Sequence, residues 1–299
     1  MKYSEEVLKA WTYPVSNTEE QKIENTIHMI KSAINSSCEL QDLDIEIFVQ
    51  GSYANNTNVR ANSDVDVCVM LRSAFYTSYP EGKKDSDYRF VDGTISYDEY
   101  KCRVKNAIVN KFGADAVVQG NKSLKIKSNT YHVNADVVVA ILLKDFEIID
   151  SCSAQNYVEG IKFIASNGEI VVNYPKDHII NGKSKNKRTG HRYKYLTRIF
   201  KRIRNQMVSE GVVNGEKISS FLIECLVWNV PDKIINGCSS WDETIKRSIV
   251  YLYDAIKNGD HTEWFEVSGR IKLFKQRKWT TADVGAFLYD MWNYLGCGQ

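Results

Sequence analysis

The 299-residue chain has no run of apolar residues approaching the roughly 20 that a helix needs to span a bilayer, which argues against an integral membrane protein. It has no Cys-x-x-Cys pair. Cys38, Cys68, Cys102, Cys152, Cys225, Cys238 and Cys297 are scattered and odd in number, which speaks for a reduced cytosol and against structural zinc. The first residues are charged and polar, so a soluble, cytoplasmic protein is expected. No internal repeat or low-complexity segment interrupts the chain, and with 43% hydrophobic and 25% charged residues disorder is not expected either. Net charge is nearly absent, at +2, yet one stretch lacks acidic residues altogether. From Lys183 to Arg204 the chain carries Lys183, Lys185, Lys187, Arg188, Arg192, Lys194, Arg198, Lys201, Arg202 and Arg204, a local rather than global potential for anions.

What is present points to phosphate chemistry. Ile45 to Val49 alternate as a half-buried strand does, and Val65, Val67, Val69 and Leu71 alternate again after a loop. Between them lie Gly51-Ser52-Tyr53 and, opening the second strand, Asp64-Val65-Asp66. Successive strand residues point to opposite faces, so Asp64 and Asp66 project together, close enough to share a hard divalent cation. Two carboxylates plus substrate phosphates is the usual way of holding Mg²⁺. Gly51 has no side chain to block a phosphate, and the Ser52 hydroxyl can donate to its oxygens. The combination reads as a nucleotidyltransferase site.

A metal ion that activates an attacking hydroxyl needs ligands beyond that pair, and a third carboxylate is expected from another strand. Asp136, inside the apolar run His132–Val139, is the candidate, because a lone ionised Asp in such a strand is costly to bury without a partner. Asp115, Asp145 and Asp150 are alternatives nearer turns.

Capping boxes at Thr18–Gln21 and Ser96–Glu99 open two helices, the first bearing Ile23, Ile27, Ile30 and Ile34. The second bears Tyr100, Val104, Ile108 and Phe112 and is closed by Gly113. Strands at about 115–119, 122–127 and 131–143 follow, giving a mixed sheet with helices packed on it. Asn167-Gly168 joins Ile161–Ile164 to Glu169–Val172 as a hairpin. After Pro175 the character changes. Asp177–Gly190, rich in Lys, Asn and Gly, reads as a loop or lid, and from His191 onward helices are expected. One spans about 191–209, with Leu196, Ile199, Ile203 and Met207 toward a core and a basic opposite face. Others start at Ser219 or Ser220, at Ser240, and at Thr281. The chain thus divides into a catalytic core, 1–175, and a helical lobe, 176–299, that completes a nucleotide-binding cleft.

A triphosphate needs cations besides metal ions, and Lys201, on the amphipathic helix, is the first choice for its point-charge partner. Ser220 can add a hydroxyl or an N-terminal amide, or serve as a plain cap. The same basic stretch, interleaved with Tyr193, Tyr195 and Phe200, is also compatible with tracking a nucleic-acid backbone.

Taken together, Gln50-Gly51-Ser52-Tyr53, Asp64-x-Asp66, Asp136 in its valine strand, the segment from Tyr174-Pro175-Lys176 to Asn181-Gly182-x-x-Lys185-Asn186, the helix with Lys201, and Ile218–Glu224 carry a family resemblance. From about residue 20 onward the chain resembles the bacterial cGAS/DncV-like nucleotidyltransferases, or CD-NTases, of the polymerase-beta-like superfamily. The resemblance implies an α+β fold, with a polymerase-beta-like core and a C-terminal helical domain resembling that of oligoadenylate synthase. It implies synthesis of a cyclic di- or trinucleotide second messenger from NTPs, with release of pyrophosphate, in the anti-phage signalling called CBASS. It further implies Mg²⁺ or Mn²⁺ on Asp64, Asp66 and Asp136, and a donor nucleotide held by Gln50, Gly51, Ser52, Lys201 and Ser220. Implied partners are NTPs and regulatory or effector proteins of the same operon, with nucleic acid not required. The zinc ribbon of animal relatives has no counterpart here, which argues against activation by long duplex DNA through such an element. A transferase adding nucleotides to RNA, a small molecule or a protein would share the core site and is the alternative.

Overall fold

The computed structural model describes residues 1–14, 17–59, 64–275 and 277–298, without the side chains of 17–19. In chain order the first elements are helices α1 (Glu5–Ala10) and α2 (Asn17–Asn35), strand β1 (Ile45–Gln50), the short helix α3 (Gly51–Ala54), β2 (Val65–Ser78) and α4 (Tyr97–Phe112). Then come β3 (Val117–Gln119), β4 (Leu124–Ile126), β5 (Ala135–Asp145), β6 (Val158–Ile164) and β7 (Ile170–Asn173). The remainder is helical: α5 (Pro175–Arg188), α6 (Arg192–Ser209), α7 (Ser220–Asn229), α8 (Asp232–Asn236), α9 (Trp241–Asn258) and α10 (Thr281–Leu295).

Two compact units divide the chain. One comprises Ser16–Ala54 and Arg60–Lys176; the other comprises Met1–Val15, Asn55–Val59 and Asp177–Gln299. The first is built on a seven-stranded mixed sheet in the order β1-β2-β5-β4-β3, with β6 beside β5 and β7 beside β6. Only β2 and β5 are parallel; the other pairings are antiparallel. Those two central strands are covered on both faces, which is why Val67 to Leu71 and Val137 to Leu143 are buried without alternation. Ile23, Ile30 and Ile34 of α2 and Tyr100, Val104 and Ile108 of α4 pack with the sheet's apolar residues. Tyr97 and Tyr100 satisfy their hydroxyls on the carbonyls of Val139 and Val69, each at 3.2 Å. The cap at Ser96 forms, its Oγ accepting from the Glu99 N–H at 3.2 Å. The capping box read from Thr18 rests on a side chain outside those described. β6 and β7 make the expected hairpin, with Gly168 at φ +83° in its turn.

The helical unit gathers the apolar faces of α6, α7, α9 and α10 around Leu196, Ile199, Ile203, Leu222, Leu226, Ile249, Leu288 and Met291. The N-terminal segment belongs to it: Leu8 is fully buried in the same cluster, and the Glu5 carboxylate accepts from the Trp241 N–H at 2.9 and 3.0 Å and the Asp242 N–H at 3.2 Å. An anion at the positive end of a helix is favourable, so Glu5 joins Ser240 in capping α9. Where the sequence draws one boundary between residues 175 and 176, the structure therefore assigns two further stretches, Met1–Val15 and Asn55–Val59, to the helical unit.

Two expectations are corrected. Asp177–Gly190 is not a loop: it lies almost wholly in α5. Pro175 starts this helix, Asp177 sits in its first turn and Lys185, Lys187 and Arg188 in its last, all favourable to the helix dipole. Its glycine is a packing site, since a Cβ on Gly182 would stand 3.3 Å from Asn55 Oδ1. The second concerns the basic face of α6, which does not stand opposite the core: Lys194, Arg198, Lys201 and Arg204 are all buried along with the apolar face.

Candidate active site

In the sheet unit, three strands bring the expected residues to one place. Gln50, the last residue of β1, pairs with Asp66 on β2, and Asp66 in turn stands in register with Asp136 on β5. Residues registered on adjacent strands share a face, and the strands lie about 4.8 Å apart. Asp64, exposed just before β2, lies two residues from Asp66 and so on the same side of the chain. Immediately after β1 the chain turns at Gly51, whose φ of +70° favours glycine. The position is closed to a side chain for a second reason: a Cβ there would overlap the Asp66 carboxylate. The turn therefore lies directly against one of the acidic residues, with the half-buried Ser52 next in α3. Asp136 is held by the Ser123 hydroxyl, which donates to its Oδ1 at 2.9 Å. Lys125 of β4 stands opposite Asp136 in register.

The other carboxylates weighed for the third position lie elsewhere. Asp145 ends β5, at the opposite end from Asp136; it is buried and accepts from the Tyr174 hydroxyl and the Ile148 N–H. Asp115 sits in a short turn before β3, and Asp150 in a left-handed bend at φ +45°.

Among the described residues no three His, Cys, Asp or Glu side chains converge as a ready-made metal cluster. The donor set nonetheless fits Mg²⁺. That ion keeps waters and substrate phosphates in its shell and takes only one or two carboxylates directly. Asp66 and Asp136 in register, with Asp64 beside them, provide such a set.

In the helical unit, Lys201 is only 2% exposed, and its ammonium donates to Glu224 Oε2 at 2.6 Å and Thr57 Oγ1 at 3.0 Å. Thr57 also donates to Glu224 Oε2, at 2.7 Å, and His178 Nε2 meets Glu224 Oε1 at 3.0 Å. Burial would raise the Glu224 carboxyl, but Lys201 and His178 hold it well below the usual carboxylate range. Ser219 is the cap of α7, its Oγ accepting from the Leu222 N–H at 3.1 Å, which leaves Ser220 exposed as the first helical residue. Lys194 is buried beside Lys183 and Arg198; burial foremost lowers its pKa, against the attraction of Glu224.

The rest of the basic stretch is largely structural. Arg192 donates to the Ile235 and Cys238 carbonyls, Arg198 to those of Thr12 and Asn56, and Arg204 to those of Ile218 and Gly215. Lys185 and Arg188 both pair with Asp232. Sequence reasoning missed these partners, and with them Ser123, Thr57 and the pairing of Glu224 with Lys201. Glu224 left a signal, as the one acidic residue in the apolar helix Phe221–Trp228. Ser123 left none, because its role depends on which strand lies next to β4. Also missed was a four-charge ring in the sheet unit. Glu46 and Glu159 each bind both Arg72 and Lys176, which ties the start of α5 to β1, β2 and β6.

Residues 180–296 match the family model of the cGAS/DncV-like nucleotidyltransferase C-terminal helical domain, and residues 30–123 match that of the nucleotidyltransferase domain. The chain is 44% identical to the cyclic dipyrimidine nucleotide synthase CdnE of Cecembia lonarensis, over 98% of this chain and 99% of that one. It is 36% identical to the cyclic dipyrimidine nucleotide synthase CdnE of Legionella pneumophila, over 97% of each. Among solved structures, the c-UMP-AMP synthase CdnE of Rhodothermus marinus, with Apcpp and Upnpp, is similar at a TM-score of 0.87 and 30% identity, covering 99% of this chain and 98% of that one. The cyclic dinucleotide synthase CdnE of Elizabethkingia meningoseptica, with GTP and Apcpp, is similar at 0.83 and 32%, covering 98% and 99%.

Proposed function

This chain belongs to the cGAS/DncV-like nucleotidyltransferase family, and on that footing we propose that it joins NTPs into a cyclic dinucleotide second messenger with release of pyrophosphate. The observation that carries the reading is the registration of Asp66 with Asp136, with the Gly51 turn lying against Asp66. A ribose hydroxyl of one nucleotide, losing its proton, attacks the α-phosphate of another in line as pyrophosphate leaves on the opposite side, and a second attack of the same kind on the remaining triphosphate closes the ring and releases a second pyrophosphate. Asp64, Asp66 and Asp136 would hold divalent metal, Mg²⁺ or Mn²⁺, which lowers the pKa of the attacking hydroxyl and offsets charge on the triphosphate. Gln50, Gly51 and Ser52 position the donor phosphates. Ser220 would add a hydroxyl and Lys201 an N–H beyond the two that Glu224 and Thr57 take among the described residues. The protein's contribution is positioning and electrostatics, with no covalent intermediate.

Both relatives named above as cyclic dipyrimidine synthases align over nearly the whole chain, which supports pyrimidine nucleotides as substrates here. The product would act in anti-phage signalling of the CBASS type, in the cytoplasm, through proteins of the same operon. No helix among the described residues is long and apolar enough to cross a membrane.

The test is mass spectrometry of products formed from all four NTPs with Mg²⁺ or Mn²⁺. A phosphatase-resistant pyrimidine dinucleotide made without added acceptor is expected. Product that requires added RNA, small molecule or protein would favour the alternative transferase. Asp64→Asn with Asp66→Asn should abolish turnover while leaving the thermal unfolding transition in place; turnover that survives the double change sinks the assignment.

A further inference from the structure

We infer that Ser123 is a positioning residue for Asp136, and that the turn carrying it is clamped by the β6–β7 hairpin so as to hold that carboxylate still. The inference rests on the reading of Asp136 as a metal-binding residue given above. Ser123 donates to Asp136 Oδ1 at 2.9 Å, and no other hydrogen bond to the Asp136 carboxylate is found among the described residues. A carboxylate on a strand end can turn about its side-chain torsions. One hydroxyl on Oδ1 removes that freedom and leaves Oδ2 to face a metal ion or the attacking ribose hydroxyl.

The hydroxyl is useful only if it is itself fixed, and the structure fixes it several times over. Gly120 N–H donates to the Ser123 carbonyl at 2.9 Å, closing the turn between β3 and β4. A Cβ on Gly120 would stand 2.9 Å from that same carbonyl, so the turn has no room for a side chain there. From the hairpin loop, Ser166 N–H donates to the Asn121 carbonyl at 2.8 Å and Ser166 Oγ to the Gly120 carbonyl at 3.0 Å. Asn167 N–H donates to Asn121 Oδ1 at 3.1 Å, and Lys122 pairs with Glu169 at 3.0 Å. The hairpin thus has a task that its distance in sequence conceals: it immobilises a four-residue turn whose last member orients an acidic residue of the site. Outer partners of metal ligands commonly control affinity or activity by about 10- to 100-fold.

The experiment compares Ser123→Ala and Ser123→Thr with the parent protein in three readouts: kcat and KM for the NTPs, Mn²⁺ binding followed by electron paramagnetic resonance in the presence of a non-hydrolysable NTP, and thermal unfolding. Ser123→Ala is expected to lower kcat by about 10- to 100-fold with KM little changed. It should weaken one class of Mn²⁺ site by a similar factor while leaving unfolding in place. Ser123→Thr, which keeps the hydroxyl, is expected to restore both. An Ala variant equal to the parent in kcat and Mn²⁺ binding overturns the inference, as does a Thr variant that folds yet is as impaired as Ala. Should the broader reading be at fault instead, the parent protein itself would bind no Mn²⁺ with nucleotide and make no product, a result distinct from either of these.

Discussion

Gly51 shows how one residue can meet two demands at once. Its positive φ favours glycine, and its missing side chain is what allows the turn to lie against the Asp66 carboxylate. Gly51→Ala is therefore expected to act mainly on chemistry. Strain from the left-handed backbone costs on the order of 1 kcal/mol. The displacement of Asp66 should cost about a hundredfold in turnover, as misplacements of about 1 Å do. Turnover assays beside thermal melts separate the two, and unchanged turnover in a folded variant would refute the close approach. The placement of Gly51, Asp64 and Asp66 was legible because the pattern behind it is local: a strand, a turn and a second strand between residues 45 and 71. Ser123 was not, because only the β4–β5 pairing brings it to Asp136.

At the scale of elements, α6 and α7 are joined by a buried ion pair rather than by apolar packing alone. Lys201 and Glu224 are 2% and 4% exposed, and with Thr57 and His178 their polar atoms are well matched. Removing one partner from such a pair leaves a buried charge uncompensated. Glu224→Gln is expected to destabilise the helical unit by about 3–5 kcal/mol at neutral pH. The pH dependence has a definite sign. The folded carboxyl is depressed below its unfolded value, so its stabilisation is present above the ordinary glutamate pKa of about 4.3 and is lost as pH falls toward the folded value. In denaturant titrations the gap between parent and Glu224→Gln should narrow below about pH 4; a gap that stays constant with pH would rule out the linkage. The amphipathic period of α6 was readable, but the burial of its cationic face was not. A buried lysine and a solvated one have the same sequence signature when the compensating acid lies on another helix. The α5 segment misled for a related reason. Its Asn181, Gly182, Ser184 and Asn186 have weak helix propensity, and docking through Asn181 on the Val267 and Ser268 carbonyls and Lys185 on the Val230 carbonyl outweighs it.

For the whole molecule, the two compact units are not two successive halves of the chain. Residues 1–15 travel with the helical unit, through Leu8 in its core and Glu5 at the start of α9. Leu8→Ala should destabilise that unit by about 2–5 kcal/mol, the usual cost of emptying a buried leucine site. Hydrogen exchange resolved by peptide is the measurement. Faster exchange is expected in α9 and α10, with β2 and β5 unchanged; faster exchange confined to the sheet would show that the N-terminal segment supports the other unit.

Chemistry, fold class and most elements were determined by the sequence, because apolar periodicity, capping residues and the Gly-Ser turn with its paired aspartates act over a few residues at a time. The partners of the charges were decided only by tertiary structure: Ser123 on Asp136, Glu224 on Lys201, Glu5 on α9, and Glu46 and Glu159 on Arg72 and Lys176. Side-chain hydrogen bonds and ion pairs act over about 3 Å between residues that can be far apart in the chain. An isolated acid such as Glu224 in an apolar helix signals that a partner is needed, but the strand order and helix packing that supply the partner leave no local trace.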